Sequence, residues 1–329
     1  MTTPVPLFTL TELEAAIALV RGVVPATPQY AWPRLAQRLG CTVWVKHENH
    51  TPTGAFKVRG GVVYLDALKR SGAYLNGVIS ATRGNHGQSI CFSAARAGIP
   101  ATIYVPYGNS PDQNAAMRAF GATLVEYGKD FDEARAEAAR VAQAQGLHYV
   151  PSFHRDLVKG VASYAHELFC AVAGLETVYV SIGMGSGVCG LITVRDLLGL
   201  KTEIVAVVAR NAPAMALSFE AGRPIATNSA HTFADGIATR EPIAEALSII
   251  RQGAARIVQV SEDEIAEAIR IYFQDTHQIA EGAGAAPLAG LIQERHRMAG
   301  KNIGVILSGG NMDAAVYQSV LAGKTPGVG

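Results

Sequence analysis

The 329-residue chain sets 28 lysines and arginines against 27 acids, a balance without the one-signed field that draws proteins to nucleic acid or anionic membranes. Hydrophobic residues make up 49% of it, enough for extensive buried sheet and a core that folds without staples. No apolar run reaches the length of about 20 residues that spans a bilayer. Ala15 to Val24 is broken by Arg21 and preceded by Glu12 and Glu14, which argues against a signal peptide. Cys41, Cys91, Cys170 and Cys189 lie far apart with no C-x-x-C pair, and read as buried free thiols in a reducing compartment. A soluble cytoplasmic protein acting on a small molecule is the expectation.

In chain order, Thr11-x-x-Glu14 has capping-box spacing and predicts a helix start. Strands are predicted at Thr42 to Lys46, Val78 to Ala81 and Ala101 to Val105, and Pro111 suits the first turn of a helix running to about Phe120. Asp130 to Gln145, rich in alanine and alternating Glu with Arg, predicts a partly exposed helix. Further strands are predicted at Thr177 to Ile182, Ile204 to Val208, Arg256 to Val260 and Ile303 to Leu307, with a helix over Leu191 to Leu198 and another opened by Ser261-x-x-Glu264. Such continuous runs suit strands buried on both faces, and the intervals have room for crossover helices. The pattern predicts an α/β fold with mainly parallel sheet. No repeat or low-complexity linker appears, so a second domain would be inserted rather than appended.

Three glycine-rich segments follow predicted strands, at the carboxyl ends where open α/β sheets bind ligands. Gly183-Met184-Gly185-Ser186-Gly187 precedes a helix, where close backbone approach and free amides attract a phosphate. It contains Gly185-x-Gly187-x-x-Gly190, so a dinucleotide site is a rival reading. The next strand ends at Arg210 without the acid that would bind an NAD ribose, which leaves an NADP-dependent oxidoreductase as the alternative from another class. Thr82-Arg83-Gly84-Asn85-His86 gathers a hydroxyl, a guanidinium, an amide and helix-start amides in one turn, which suits a carboxylate. Ser308-Gly309-Gly310-Asn311 occupies the same strand-to-helix position near the C-terminus. Lys57 stands between Pro52-Thr53-Gly54 and an apolar helical stretch. Taken singly, each segment is as well read as a compact turn, and the lysine as a surface charge.

Together they resemble a family. The ordered blocks Lys46-x-Glu48-Asn49, Gly54-Ala55-Phe56-Lys57-x-Arg59-Gly60, Gly84-Asn85-His86-Gly87-Gln88, Gly183 to Gly187, Ala234-Asp235-Gly236, Glu281-Gly282-Ala283-Gly284-Ala285 and Ser308-Gly309-Gly310-Asn311 resemble the serine/threonine dehydratase branch of fold-type II pyridoxal-phosphate (PLP) enzymes, with the tryptophan synthase β-like fold. The resemblance implies two open, mainly parallel sheets flanked by helices, a small domain at 77–152 inserted in a large one formed by 1–76 and 153–329, and a homodimer. It makes Lys57 the Schiff-base lysine beside Phe56 and the backbone Gly183-Met184-Gly185-Ser186-Gly187 the phosphate cup. Asn85 becomes the partner of the ring hydroxyl and Ser308 that of the pyridine nitrogen, with Gly236 and Glu281 at the ring's edge. Thr82, Arg83, Gly84, Asn85 and His86 become the loop for the substrate carboxylate, and the reaction β-elimination from a 3-hydroxy amino acid.

The chain leaves the family pattern in places. Thr82-Arg83 replaces a Ser-Ser pair whose second serine is the racemases' second base, a role for which an always-charged arginine is a poor substitute, so racemase activity is not expected. Arg83 is instead expected to reach the site and bind the substrate carboxylate, a second carboxylate or an aromatic face. The loop resembles that of phenylserine dehydratases and of dehydratases in hydroxyectoine breakdown, which points to an aromatic 3-hydroxy amino acid such as phenylserine, with threonine, serine or hydroxyaspartate as alternatives. Gly160-Val161-Ala162-Ser163 and Pro151-Ser152-Phe153-His154 also depart and are expected to shape the pocket. Asn211-Ala212-Pro213-Ala214, directly after Arg210, contains no acid, so no metal requirement is expected there.

Overall fold

The computed structural model describes residues 6–72 and 76–327. Among them are strands β1 (Gln29–Ala31), β2 (Thr42–His47), β3 (Val78–Ala81), β4 (Ala101–Val105), β5 (Thr123–Glu126), β6 (His148–Tyr149), β7 (Thr177–Ser181), β8 (Glu203–Ala209), β9 (Ala254–Val260) and β10 (Asn302–Leu307). They form a six-stranded sheet, ordered β1-β2-β10-β7-β8-β9, and a four-stranded sheet, ordered β5-β4-β3-β6. Every pairing is parallel except that of β1 with β2. This is the expected α/β class: two open, mainly parallel sheets flanked by helices.

The central strands are apolar on both faces because both faces are covered. In β8, Val205, Val207 and Ala209 enter one core with Val305 and Leu307, while Ile204, Ala206 and Val208 enter the opposite core with Val178 and Val180. The smaller sheet divides in the same way, with Val78 and Ile103 on one side and Ile79 and Tyr104 on the other. The shared strand direction puts the loops after β3, β7 and β10 at carboxyl ends, and these carry Thr82, Gly183 and Ser308.

Some local expectations shift. The capping box at the first helix, Leu10–Arg21, is Thr9 with Glu12, not Thr11 with Glu14. Thr9 and Thr11 begin overlapping frames of the same pattern, and the extended backbone of Thr9 makes it the cap. Ser261 and Glu264 do form the box at the helix Glu262–Thr276. Asp130 caps the helix Phe131–Gln145 rather than belonging to it. Cys41, Cys91 and Cys189 are buried thiols, but Cys170 is exposed because it falls at the end of the helix Arg155–Ala171, beyond its buried stripe.

Gly160 to Ser163 lie on that helix and do not shape the cavity. A Cβ at Gly160 would lie 2.2 Å from the Arg59 carbonyl oxygen, so the residue's role is close helix packing. Val161 and Ala162 are core, and Ser163 accepts a hydrogen bond from Arg59 at 3.0 Å. Of the preceding segment only Ser152 lines the cavity; Phe153 is core and His154 caps the helix.

Candidate active site

Lys57 opens the helix Lys57–Arg70, and the turn before it is clamped to the loop after β10. The Phe56 amide donates to the Ser308 carbonyl at 3.0 Å, the Gly310 amide to the Gly54 carbonyl at 3.0 Å, and Ala55 bridges Gly309. Gly54 sits at φ +66°, and a Cβ there would meet the Asn311 side chain at 2.4 Å. A lysine at a helix start would ordinarily reach solvent. Here the clamp turns it into the gap between the sheets, its amine 5.0 Å from the centre of the Phe56 ring. Burial lowers its ammonium to about 8, against the favourable charge of Glu281.

The segment Gly183 to Gly187 leads from β7 into the helix Ser186–Leu197, whose N-terminus has no side-chain cap. Its first-turn amides are therefore available to an anion. Gly183 packs so closely that a Cβ would lie 2.2 Å from the Gly236 carbonyl oxygen. Phe56, Lys57, Asn85, Ser181, Glu281 and Ser308 share one cavity with this segment.

Across that cavity stands the loop after β3. The Thr82 hydroxyl accepts from the amides of Gly84 at 3.0 Å and Gly87 at 3.2 Å, so it shapes the loop. The helix Asn85–Ala97 then starts without a side-chain cap. The Asn85 amide donates to both Glu281 oxygens, at 2.7 and 3.0 Å, and accepts from Asn311 at 2.8 Å. Burial raises the Glu281 carboxyl to about 7, with Asn85, the Asn311 amide and Lys57 acting in the opposite direction. Burial and the Lys57 charge push His86 down to about 3, so the ring is neutral at working pH; its buried Nε2 has no partner among the described residues.

Lys57, Asn85, Met184, Gly236, Glu281 and Ala283 also border a second cavity of about 170 Å³. The two are adjoining chambers, with the lysine at their boundary. The outer chamber has an apolar wall, Phe131, Phe233, Met312 and Val316, and polar groups from Arg83, Ser110, Gln113, Asp235 and Asp313. Arg83 lies 3.1 Å from Asp235. Motif reading brought Arg83 to the site but did not supply this partner, nor Phe131, Phe233 or Met312. Phe131 starts a helix judged only by its exposed charges, and Met312 directly follows a recognised motif. Arg210, the basis of the NADP alternative, lies 3.7 Å from Glu264.

The residues fit PLP. The uncapped helix start offers amides to a phosphate, the enclosed lysine offers an amine to an aldehyde, and the Phe56 ring and the Ser308 hydroxyl border the same cavity. The family model for "Pyridoxal-phosphate dependent enzyme" matches residues 20–309. The L-threonine ammonia-lyase of Geobacter sulfurreducens is 34% identical over 288 residues, 87% of this chain and 71% of that protein. The L-threo-3-hydroxyaspartate ammonia-lyase of Saccharomyces cerevisiae is 29% identical over 312 residues, 94% of each. Against the biosynthetic threonine dehydratases it matches in several bacteria, the chain spans 56% to 58% of their length. The solved structure of the processed form of threonine deaminase isoform 2 from Solanum lycopersicum superposes with a TM-score of 0.87 at 28% identity, covering 98% of this chain and 100% of that one.

Proposed function

Because the chain belongs to the pyridoxal-phosphate dependent enzyme family and uses that cofactor, we propose that it is an ammonia-lyase (dehydratase) that converts a 3-hydroxy amino acid into a 2-oxo acid and ammonia. The preferred substrate in this reading is aromatic, such as L-phenylserine. The observation that carries it is the pair of chambers joined at Lys57, the outer one walled by Phe131, Phe233, Met312 and Val316. A phenyl group matches that wall better than the methyl of threonine does.

When bound, the cofactor supplies an electron sink for charge developing at the substrate Cα. Lys57, brought to about 8, is close enough to neutrality to accept the Cα proton as a general base. The uncapped start of the helix Asn85–Ala97 and the loop Thr82 to His86 hold the α-carboxylate. Ser308, which lines the inner chamber, would offer the bound cofactor a neutral hydroxyl rather than a carboxylate, and the electron sink it would support is a weak one suited to elimination. The Cα–H and Cβ–O bonds break, water departs, and hydrolysis of the resulting enamine gives the 2-oxo acid and ammonia. Residues 77–152 act in this reading as a small domain inserted in the large one of 1–76 and 153–329, in a cytoplasmic homodimer. Among the described residues no helix is long and apolar enough to cross a membrane.

The names of the relatives support threonine or hydroxyaspartate as the second reading. Purified holoenzyme given phenylserine, threonine, serine and hydroxyaspartate decides between them by 2-oxo acid release. The aromatic preference requires a higher kcat/KM for phenylserine, and an equal or higher value for threonine overturns it. Lys57→Ala is expected to lose the visible absorbance of bound cofactor and at least about 10²-fold in turnover; unchanged turnover would remove Lys57 from the mechanism.

A further inference from the structure

The outer chamber contains an arrangement that bears on which side chains it admits. Besides Lys57 at its inner boundary, Arg83 is its one lysine or arginine among the described lining residues. Asp235, Asp313 and Glu281 line the same space, so acids outnumber bases. Arg83 Nε lies 3.1 Å from Asp235 Oδ1, joining the loop after β3 in the smaller sheet to the Asp235–Ile237 turn against the larger one. About half of each side chain's surface is open. Asp313 accepts from the Ser110 hydroxyl and has no basic partner within ion-pair distance among the described residues.

An arginine in a substrate chamber is the natural ligand for a second carboxylate, since its planar fork matches carboxylate geometry. Here the guanidinium already faces a carboxylate of the chain itself, its Nε 3.1 Å from Asp235. An incoming β-carboxylate would have to compete with Asp235 for that guanidinium and would meet Asp235 and Asp313 as like charges lining the same chamber. A neutral side chain pays neither cost, and finds Phe131, Phe233 and Met312 beside it.

We propose that Asp235 is a specificity-determining residue: by holding Arg83 across the chamber it denies that arginine to a second carboxylate and restricts the enzyme to amino acids with uncharged side chains. The inference rests on the ammonia-lyase reading for its substrates but not for its binding test. Discrimination arises here from a repulsive, pre-engaged element rather than from a new contact to the favoured substrate.

The test uses purified holoenzyme, Asp235→Asn, Arg83→Gln and the double variant. The wild type should turn over phenylserine or threonine with kcat/KM at least about tenfold above that for threo-3-hydroxyaspartate. Asp235→Asn should raise the ratio of hydroxyaspartate to neutral substrate by about tenfold or more, and adding Arg83→Gln should abolish the gain. Independently of turnover, L-aspartate and L-phenylalanine, which lack a β-hydroxyl to eliminate, are titrated against the visible spectrum of the bound cofactor. The wild type should bind phenylalanine more tightly, and Asp235→Asn should recover aspartate binding. Wild-type preference for hydroxyaspartate, tighter wild-type binding of aspartate, or an unchanged ratio in Asp235→Asn overturns the proposal. If the variant does not fold, the wild-type titration and Arg83→Gln still decide: Arg83→Gln must weaken aspartate binding no more than phenylalanine binding, because the arginine is already occupied. Absence of 2-oxo acid from every substrate would instead overturn the ammonia-lyase reading and leave the titration to judge Asp235.

Discussion

Lys57 and Glu281 enter the same cavity as opposite charges, each shifted towards its neutral form by burial, to about 8 and about 7. Only the neutral amine of Lys57 can take up the cofactor's aldehyde. Cofactor uptake by the apoenzyme should therefore accelerate as pH rises through about 8 and level off above it. Glu281 favours the ammonium, so Glu281→Gln should lower the Lys57 value further and move the uptake midpoint to lower pH. Stopped-flow absorbance across a pH series measures this; a midpoint that stays or rises would mean that the carboxylate does not act on the lysine through charge. Residues within short contiguous motifs, such as Lys57 and the 183–187 segment, are legible in sequence because seven such blocks in one order identify one another, although the inward turn of Lys57 depends on the distant loop after β10. The pairing of Arg83 with Asp235 is not, because it depends on how the two sheets face each other.

The helix Lys57–Arg70 is held against the helix Arg155–Ala171 by the mutual approach of Gly60 and Gly160 and by a buried ionic network. Arg59 donates to Glu48 at 2.7 Å and to Glu167 at 2.9 Å, and Lys46 donates to Glu167 at 2.7 Å. Each buried charge has an opposite partner, as burial demands. A methyl at Gly160 would press on backbone rather than on a movable side chain, so the helices must separate. Gly160→Ala should cost about 1–3 kcal/mol, seen as a lower urea midpoint at unchanged slope, and should weaken cofactor affinity because the displaced helix carries Lys57. Loss of stability with unaltered affinity would show that the site tolerates movement of this helix. The long buried strands were legible from their β-branched runs. The short strands β1, β5 and β6 were not, since edge strands of two to four residues carry little apolar pattern. Gly160 to Ser163 were misread as pocket because a helix-packing glycine and a ligand-approach glycine look alike in sequence.

At the scale of the molecule, the two sheets have separate cores, and the gap between them holds both chambers. Polar contacts rim this gap: Gln113 donates to the Asn311 carbonyl at 3.2 Å, Arg135 meets Glu241 at 3.0 Å, and Arg240 pairs with Asp132. Partly exposed ion pairs of this kind contribute about 0–1 kcal/mol each. That is too little to govern unfolding of either core, yet enough to bias how the two sides of the gap sit around a small substrate. Arg240→Ala should therefore leave the urea midpoint nearly unchanged while raising KM about two- to fivefold with kcat within about twofold. High salt should mimic the substitution in the wild type, because the screening length falls to about 3 Å at 1 M, and should add little in the variant. Steady-state kinetics at low and high ionic strength separate the cases. A fall in kcat at constant KM would place these contacts in the chemistry, and a lowered urea midpoint would place them in the fold. An increase in KM alone assigns them to holding the two sides of the gap in the arrangement that binds substrate, the one in which Arg83 already faces Asp235.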